Sequence, residues 1–458
     1  MSENRLKYDV VVVGLGPAGS SLVYFLRNTG LRVAGIDLVD WNGIWGKPCG
    51  DAIGEHHFDE TGLPKPSGPS LKNRVEGIDI YSPSEEIRLR VKGLGYIIDR
   101  NEYGKMLLKE AEKAGVDLYL KTQVKAPILE DGKLVGVKAK NSNGELIFEA
   151  KIVVDATGTG AVLRRRLPKT WPVNEPLKPT DANIAYRKIL DLEDTIEDYQ
   201  YIRIYVNQRI APGGYWWFFP EGPSSVNVGL GVQGGRGYPS PKEIYEKELA
   251  HRPELRNIKR VKADAGAMVP TRRPANTLVW DNFLGIGDNG YTVNPVHGGG
   301  MGYAMSAAFY ASKAIVEAFE KGDFSRYGPL WKTNLDYMKG IGAKQAALDI
   351  FRIYLQSLTD EEIEWALKNG VVKADDAYTI SADGELKANL GVVDKARILI
   401  SMLKRPVMLL QLRTVGNYMK DIKNLYKEYP ENPDDLNKWV GKVEDLYSRF
   451  KSELGIEW

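Results

Sequence analysis

The sequence predicts an α/β plus α+β fold, in which a Rossmann-type nucleotide-binding domain is followed by a β-rich domain and a helical C-terminal region. Three observations predict it. The N-terminus reads strand, glycine-rich turn, helix, strand; residues 171–270 are rich in aromatic and β-branched residues with little helical period; and beyond residue 330 the apolar spacing is helical to the end. A chain of 458 residues exceeds one simple core. The expected division is 1–74, 99–170 and 273–330 for the nucleotide domain, 75–98 and 171–272 for the β-rich catalytic domain, and 331–458 for the helices.

Tyr8 to Val13 is a β-branched run of the kind buried in parallel sheets, and an apolar-periodic helix follows from about Ala18 to Asn28. Arg32 to Asp37 is a second strand ending in an acidic residue, which completes a βαβ unit. A helix is expected over 103–114. Turns at Asp131-Gly132 and Asn143-Gly144 divide 123–154 into hairpin strands, and the last of these, Lys151 to Asp155, closes on Thr157-Gly158. Helical spacing returns near 241–250. A short strand from Asn282 to Gly287 leads through a glycine-rich turn into a long helix, roughly 301–320. Gly340, Gly370, Gly391 and Pro430 are the expected breaks among the C-terminal helices.

Composition excludes several classes. With a net charge of +2 and lysines and arginines spread along the chain, no nucleic-acid footprint is expected, and the basic triplet Arg164, Arg165, Arg166 reads as a solvated helix end. The single cysteine, Cys49, rules out an intramolecular disulfide framework, a thiolate zinc site and a self-contained iron–sulfur cluster. His56 and His57 lie in a polar stretch without ligand partners at suitable spacing; they read as surface residues, and no metal site is expected. The opening MSENRLKYD is too charged for a signal peptide, and no segment gives the roughly 20 uninterrupted apolar residues of a membrane span. A cytoplasmic protein is expected, soluble or peripheral on the inner face of the membrane.

The turn Gly14, Gly16, Pro17, Ala18, Gly19 carries the first site. Gly14 permits the tight turn, Gly16 lets a pyrophosphate approach the backbone, Gly19 allows helix to pack on strand, and the helix N-terminus presents free amides. Asp37, 18 residues beyond Gly19, is placed to accept from ribose hydroxyls. A second spacing of this type, Gly229, Gly231, Gly234, is rejected as a nicotinamide site because no helix starts after it.

The distant segment FLGIGDNGYTVNPVHGGGMGYAMSAA, residues 283–308, resembles the second flavin motif of the glutathione-reductase and hydroxybenzoate-hydroxylase class. That resemblance implies FAD as the cofactor and Asp288 as the residue that holds its ribityl chain. It also implies that Pro295, Gly298, Gly299, Gly300 and Met301 open a helix facing the flavin. Asp155-Ala156-Thr157-Gly158 and Arg100 resemble further elements of that class beside the cofactor.

In APGGYWWFFPEG, residues 211–222, strand alternation puts Tyr215, Trp217 and Phe219 on one face and Trp216 and Phe218 on the other, one face for a cavity and one for a core. Pro212-x-x-Tyr215-x-Trp217-x-Phe219-Pro220, followed by Asn227-Val228-Gly229-x-Gly231, resembles the signature of the geranylgeranyl reductases, in particular the archaeal enzymes that saturate the prenyl chains of ether lipids. The loop Lys47-Pro48-Cys49-Gly50-Asp51 resembles that family's Cys-Gly element beside the flavin, and the likeness runs from the N-terminal glycines to about residue 330.

The resemblance implies saturation of isoprenoid C=C bonds in geranylgeranyl diphosphate or geranylgeranylated ether lipids, with Tyr215, Trp217, Phe219, Pro220 and Gly229 binding substrate. Such a reaction takes hydride from reduced flavin and a proton from an acid, a contribution of about 10² to 10⁴ in rate. Cys49, Tyr215 and His297 are the candidate donors, and the sequence leaves the choice open; His297 fits a capping role as well. The electron donor is external and unassigned, with ferredoxin, a reduced nicotinamide and a deazaflavin all compatible. Because each CH₂ is worth roughly 0.8 kcal/mol in bilayer or tunnel alike, a peripheral membrane contact is expected, and 396–413, ARILISMLKRPVMLLQLR, is the candidate surface. Arg272 and Arg273 are candidates to meet a substrate phosphate. Two other functions stay open: a flavin-dependent halogenase or hydroxylase, whose Trp-x-Trp-x-Ile-Pro element is similar in type, and a prenyl-lipid-binding flavoprotein without turnover.

Overall fold

The computed structural model describes residues 4–371 and 406–458. The N-terminal apolar run forms the strand Asn4–Val13, whose last four residues, Val10 to Val13, are all buried because both faces of their sheet are covered. It pairs in parallel with Val33–Ile36 on one side and Gly144–Asp155 on the other, with Phe283–Gly285 parallel beyond the latter and Asp117–Tyr119 at the far edge. Helix Pro17–Leu26 makes the crossover, its Pro17 at the first turn where no N–H is needed, and packs against Arg100–Lys113 and Met301–Lys321. The hairpin Gln123–Glu130 and Lys133–Asn141 turns at Asp131 and Gly132, both with positive φ as a two-residue hairpin demands.

The second sheet runs in the order Ile258–Val269, Asn183–Leu192, Ser225–Gln233, Tyr215–Gly222, Tyr201–Tyr205, Leu71–Tyr81, Arg88–Ile98, Ala52–Gly54. It is antiparallel except where Tyr201–Tyr205 meets Leu71–Tyr81. This sheet takes in all of Leu71–Tyr81, of which the division at 74/75 left residues 71–74 with the nucleotide domain, and also Ala52–Gly54, left there whole. The alternation there is real but carries little apolar signal, since the buried positions of Leu71–Tyr81 are Asn73, Val75, Gly77 and Asp79.

The C-terminal region is helical as expected, over Lys332–Tyr337, Ala343–Leu355, Asp360–Lys368, Pro406–Lys427 and Leu436–Glu453. Gly340 does not end a helix; a π turn, Met338–Gly342, absorbs it between two helical stretches. Gly391 lies outside the described residues. The basic triplet forms a single 3₁₀ turn, and Arg164 is buried rather than solvated: its guanidinium donates to the Tyr291 hydroxyl at 2.6 Å. Among the described residues, no helix is long and apolar enough to cross a membrane.

Candidate active site

A cavity of about 1220 Å³ lies between the two sheets and the C-terminal helices. That exceeds the roughly 300–1,000 Å³ of ordinary small-molecule sites. One wall is built from loops and the other from the second sheet.

The loop wall starts at the glycine turn. Gly14 has φ +89°, and a Cβ on Gly19 would stand 1.8 Å from the Gly14 carbonyl oxygen, so helix and strand touch there. Gly19 itself does not line the cavity; Gly16, Pro17 and Ala18 do, and a Cβ on Gly16 would meet nothing within 4 Å. The helix has no side-chain N-cap, which leaves its leading amides facing this opening. Asp37 lines the cavity while its carboxylate accepts from the backbone N–H of Leu15 at 2.6 Å and Val39 at 3.1 Å, tying the strand end to the turn.

Farther along, the Lys47 ammonium pairs with the Asp288 carboxylate at 2.6 Å, and Arg100 donates to the Lys47 carbonyl. Asp288, Pro295, His297, Gly298, Gly299, Gly300 and Met301 all line the cavity, as do Cys49, Gly50, Arg100 and Gly158. The helix Met301–Lys321 also starts without a side-chain cap. Asp155 does not reach the cavity. It is fully buried, and its carboxylate accepts from the backbone N–H groups of Thr157, Leu163 and Arg164, so it organises the loop that Gly158 presents.

The sheet wall follows the predicted alternation. Tyr215, Trp217 and Phe219 face the cavity; Trp216 and Phe218 enter the core on the other side, where Trp216 stacks on Tyr205 with ring centroids 3.5 Å apart. Pro220 and Gly229 line no part of the cavity. Pro220 is buried in the strand, and Gly229 lies beneath Trp217, where a Cβ would come within 2.5 Å of the indole. Gly229 therefore makes room for a wall residue. Gly229 and Gly231 sit inside the strand Ser225–Gln233, and the next helix begins only at Pro241, so no second nucleotide turn forms.

The two walls meet at Tyr215, whose hydroxyl donates to the His297 carbonyl at 2.5 Å. Burial pushes the Tyr215 phenol well above its usual range. Burial also pulls His297 down to about 4, and its Nδ1 accepts from the Gly299 N–H at 3.1 Å, so the ring is neutral near pH 7 with its proton on Nε2.

Several residues stand elsewhere than the sequence suggested. His57 is not on the surface: it is buried against Gly302 of the long helix, lines the cavity, and is pulled down to about 3 by desolvation. Arg272 and Arg273 do not line the cavity; both are buried, Arg272 on Glu175 at 2.6 Å and Arg273 on Glu444 at 2.7 Å, partners remote in sequence. The structure also brings in Asp51 and Asn227, which stand in the motifs quoted above but not among the candidate site residues. Asp51 is buried, with a carboxyl raised by desolvation against the opposing pull of Arg100, Lys72 and Arg187. Asn227 is fully buried beside it. Of the candidate membrane surface, 396–405 lies outside the described residues; in Pro406–Lys427, Met408 and Leu412 line the cavity while Val407 and Leu410 are 65% and 66% exposed. No group of residues suited to a metal is present among the described residues.

A parallel Rossmann-type sheet whose glycine turn faces an antiparallel substrate sheet across one cavity defines an FAD-dependent oxidoreductase of the hydroxybenzoate-hydroxylase fold. Residues 9–166 match the FAD dependent oxidoreductase family and residues 181–269 the geranylgeranyl reductase catalytic domain. Over 453 residues the chain is 45% identical to the digeranylgeranylglycerophospholipid reductase of Sulfolobus acidocaldarius, covering 98% of this chain and 99% of that one. The enzyme of the same name from Methanothrix thermoacetophila is 28% identical over 89% of this chain and 99% of its own length. The chain belongs to the digeranylgeranylglycerophospholipid reductase family, which implies a flavin cofactor. Among solved structures, a geranylgeranyl bacteriochlorophyll reductase-like protein from Thermoplasma acidophilum matches with a TM-score of 0.76 at 23% identity, covering 90% of this chain and all of that one. The flavin-dependent brominase Bmp2 matches with a TM-score of 0.61 at 18% identity, covering 97% of this chain and 100% of its own. At such identities these two likenesses speak for the fold.

Proposed function

We propose that this chain is an FAD-dependent geranylgeranyl reductase that saturates isoprenoid C=C bonds of digeranylgeranylglycerophospholipid. The observation that carries the reading is one large cavity with an aromatic sheet wall, Tyr215, Trp217 and Phe219, opposite an uncapped glycine turn. FAD fits the residues present: the open space over Gly16 would admit the pyrophosphate, Asp37 would take the ribose, Asp288 with Lys47 the ribityl chain, and the amides of Gly298 to Met301 the pyrimidine. Once bound and reduced, that cofactor supplies the hydride.

The chain's own residues do the rest. The apolar wall excludes water, and its rings shelter positive charge developing at the more substituted carbon, worth about 0.5 to 2 kcal/mol per well-placed ring. Of the three candidate acids, the Tyr215 phenol is weakened by burial and its O–H is committed to the His297 carbonyl, while the neutral His297 ring has only an uncharged imidazole N–H to give, a far weaker acid than an imidazolium or a thiol. Cys49 is therefore the proton donor in this reading. The exposed Val407 and Leu410, on the helix whose other side lines the cavity, supply the contact with a lipid surface. The reductant that reloads the flavin is external in this reading, and Gly229 and Gly231, inside the strand Ser225–Gln233, do not form a second dinucleotide turn for it.

The test is anaerobic reduction of the FAD-loaded protein with geranylgeranyl lipid, followed by mass analysis. A gain of two hydrogens per double bond is expected; an oxygen-dependent halogenated or hydroxylated product, or no reoxidation of the flavin by lipid, overturns the reading. Cys49→Ser is expected to retain FAD and lose turnover by about 10² or more, and unchanged turnover removes Cys49 as the acid.

A further inference from the structure

Asn227 is fully buried on the strand Ser225–Gln233, directly opposite Phe219 in register, and uses every hydrogen-bonding group it has. Its side-chain amide donates to the Cys49 carbonyl at 2.8 Å and to the Asp51 carboxylate at 3.2 Å, while its oxygen accepts from the Trp217 indole N–H at 3.0 Å. A carboxamide offers two donors and one acceptor direction to such neighbours. Flipping it would set oxygen against two acceptors and N–H against the one donor, so one orientation is fixed. The partners lie on opposite sides of the cavity: Cys49 and Asp51 belong to the loop wall and Trp217 to the sheet wall.

The surrounding backbone is shaped for this contact. A Cβ on Gly50 would fall 2.8 Å from the Phe219 ring, so only a glycine lets the loop come this close to the aromatic strand. Asp51 holds φ +61°, an uncommon conformation for a non-glycine residue, and its carbonyl accepts from Ile98 N–H at 3.0 Å. Loop and strand are thus pressed together at one point, and the group joining them there is Asn227.

We infer that Asn227 is a positioning residue that sets the Cys49 loop against the Trp217 face, so that acid and substrate wall hold one mutual geometry. The inference rests on the reductase reading but has a readout of its own. Cys49 is the chain's one cysteine, so a thiol reagent such as dithionitrobenzoate reports on this loop alone, whether or not Cys49 is the acid.

Asn227→Ala removes all three bonds. Asn227→Asp keeps size and the acceptor for Trp217 but replaces the donor with a carboxylate oxygen that faces the Cys49 carbonyl and the Asp51 carboxylate, both acceptors. In both variants, loaded with FAD, labelling of Cys49 is expected to speed up about tenfold and kcat to fall about 10²-fold, the cost of a small misplacement of reacting groups, with KM little changed. A merely structural loss would lower the melting temperature without this split between kcat and KM. Wild-type labelling or wild-type kcat in whichever variant folds overturns the inference. The reductase reading fails separately, through the product analysis and Cys49→Ser.

Discussion

The two walls of the cavity are built on different principles. The sheet wall takes its side chains from neighbouring strands at a spacing of two, the large rings of Tyr215, Trp217 and Phe219 on one and smaller apolar residues such as Ile202, Ile204, Ala265 and Ala267 on others, and the bulk of those rings is its main contribution. The loop wall draws on segments around residues 14–18, 37, 45–57, 100, 158 and 288–303, and much of what it offers is backbone: amides at two uncapped helix starts and glycines that leave room. Substitutions should therefore act differently on the two sides. On the sheet wall a lost side chain removes contact with substrate; on the loop wall an added one blocks the cofactor or the fold.

The largest effect is expected from the sharpest version of that contrast. Gly19→Ala puts a Cβ 1.8 Å from the Gly14 carbonyl oxygen, which forces the first helix off the central strand and should abolish both flavin binding and a stable fold. Gly16→Ala has open space and an ordinary φ of −70°. Its apoprotein should melt as wild type does, while FAD affinity falls at least about tenfold because the methyl occupies the pyrophosphate's approach. Equal melting temperatures for the two apoproteins would remove the distinction between packing and ligand glycines.

Next in size is a pair on one strand. Trp216→Ala deletes a fully buried ring stacked on Tyr205 and should cost about 3–5 kcal/mol of stability, with kcat per folded molecule unchanged. Trp217→Ala opens the cavity wall and frees the Asn227 oxygen; turnover should fall more than tenfold, with a smaller loss of stability because its ring already borders empty volume. Denaturant melts and single-turnover rates on both variants separate the effects. If Trp216→Ala were the more damaging to turnover, the assignment of faces would be reversed.

How much of this was legible in the sequence follows the same division. The sheet wall could be read because period two and ring size are written in consecutive residues, Tyr215 to Phe219. The glycine turn could be read because its spacing is a local requirement of helix meeting strand. Contacts between residues remote in the chain could not. Arg272 and Arg273 looked like free cations because Glu175 and Glu444 are far away in sequence, and the polar surroundings of HHFDE hid the burial of His57 under a helix that starts at Met301. The strand Leu71–Tyr81 was not legible, and the division at 74/75 cuts through it, since Asn73, Gly77 and Asp79 occupy positions that apolar residues would have marked. Asn227 was visible as a motif letter, but its work depends on three partners that only folding assembles.

The smallest expected effect again sets one wall against the other. His57 and His297 on the loop wall are held neutral by burial, at about 3 and about 4, against about 6.5 when unfolded. Between those values the unfolded chain binds protons that the folded chain refuses, so stability should fall as pH drops from about 6.5 toward 4 and lose nothing further from His297 below its folded value. Above about 6.5 neither group contributes. Asp51 works in the opposite sense, because its raised carboxyl takes up a proton more readily in the folded state, and it offsets part of the loss at the acidic end. On the sheet wall Tyr215 stays protonated throughout this range. Thermal melts from pH 7 to pH 4 should therefore slope downward in the wild type and slope less in His57→Leu, whose apolar ring replacement carries no proton in either state. A slope left as steep in His57→Leu would mean that the imidazole is already charged in the fold and that desolvation at this wall is weaker than its burial against Gly302 requires.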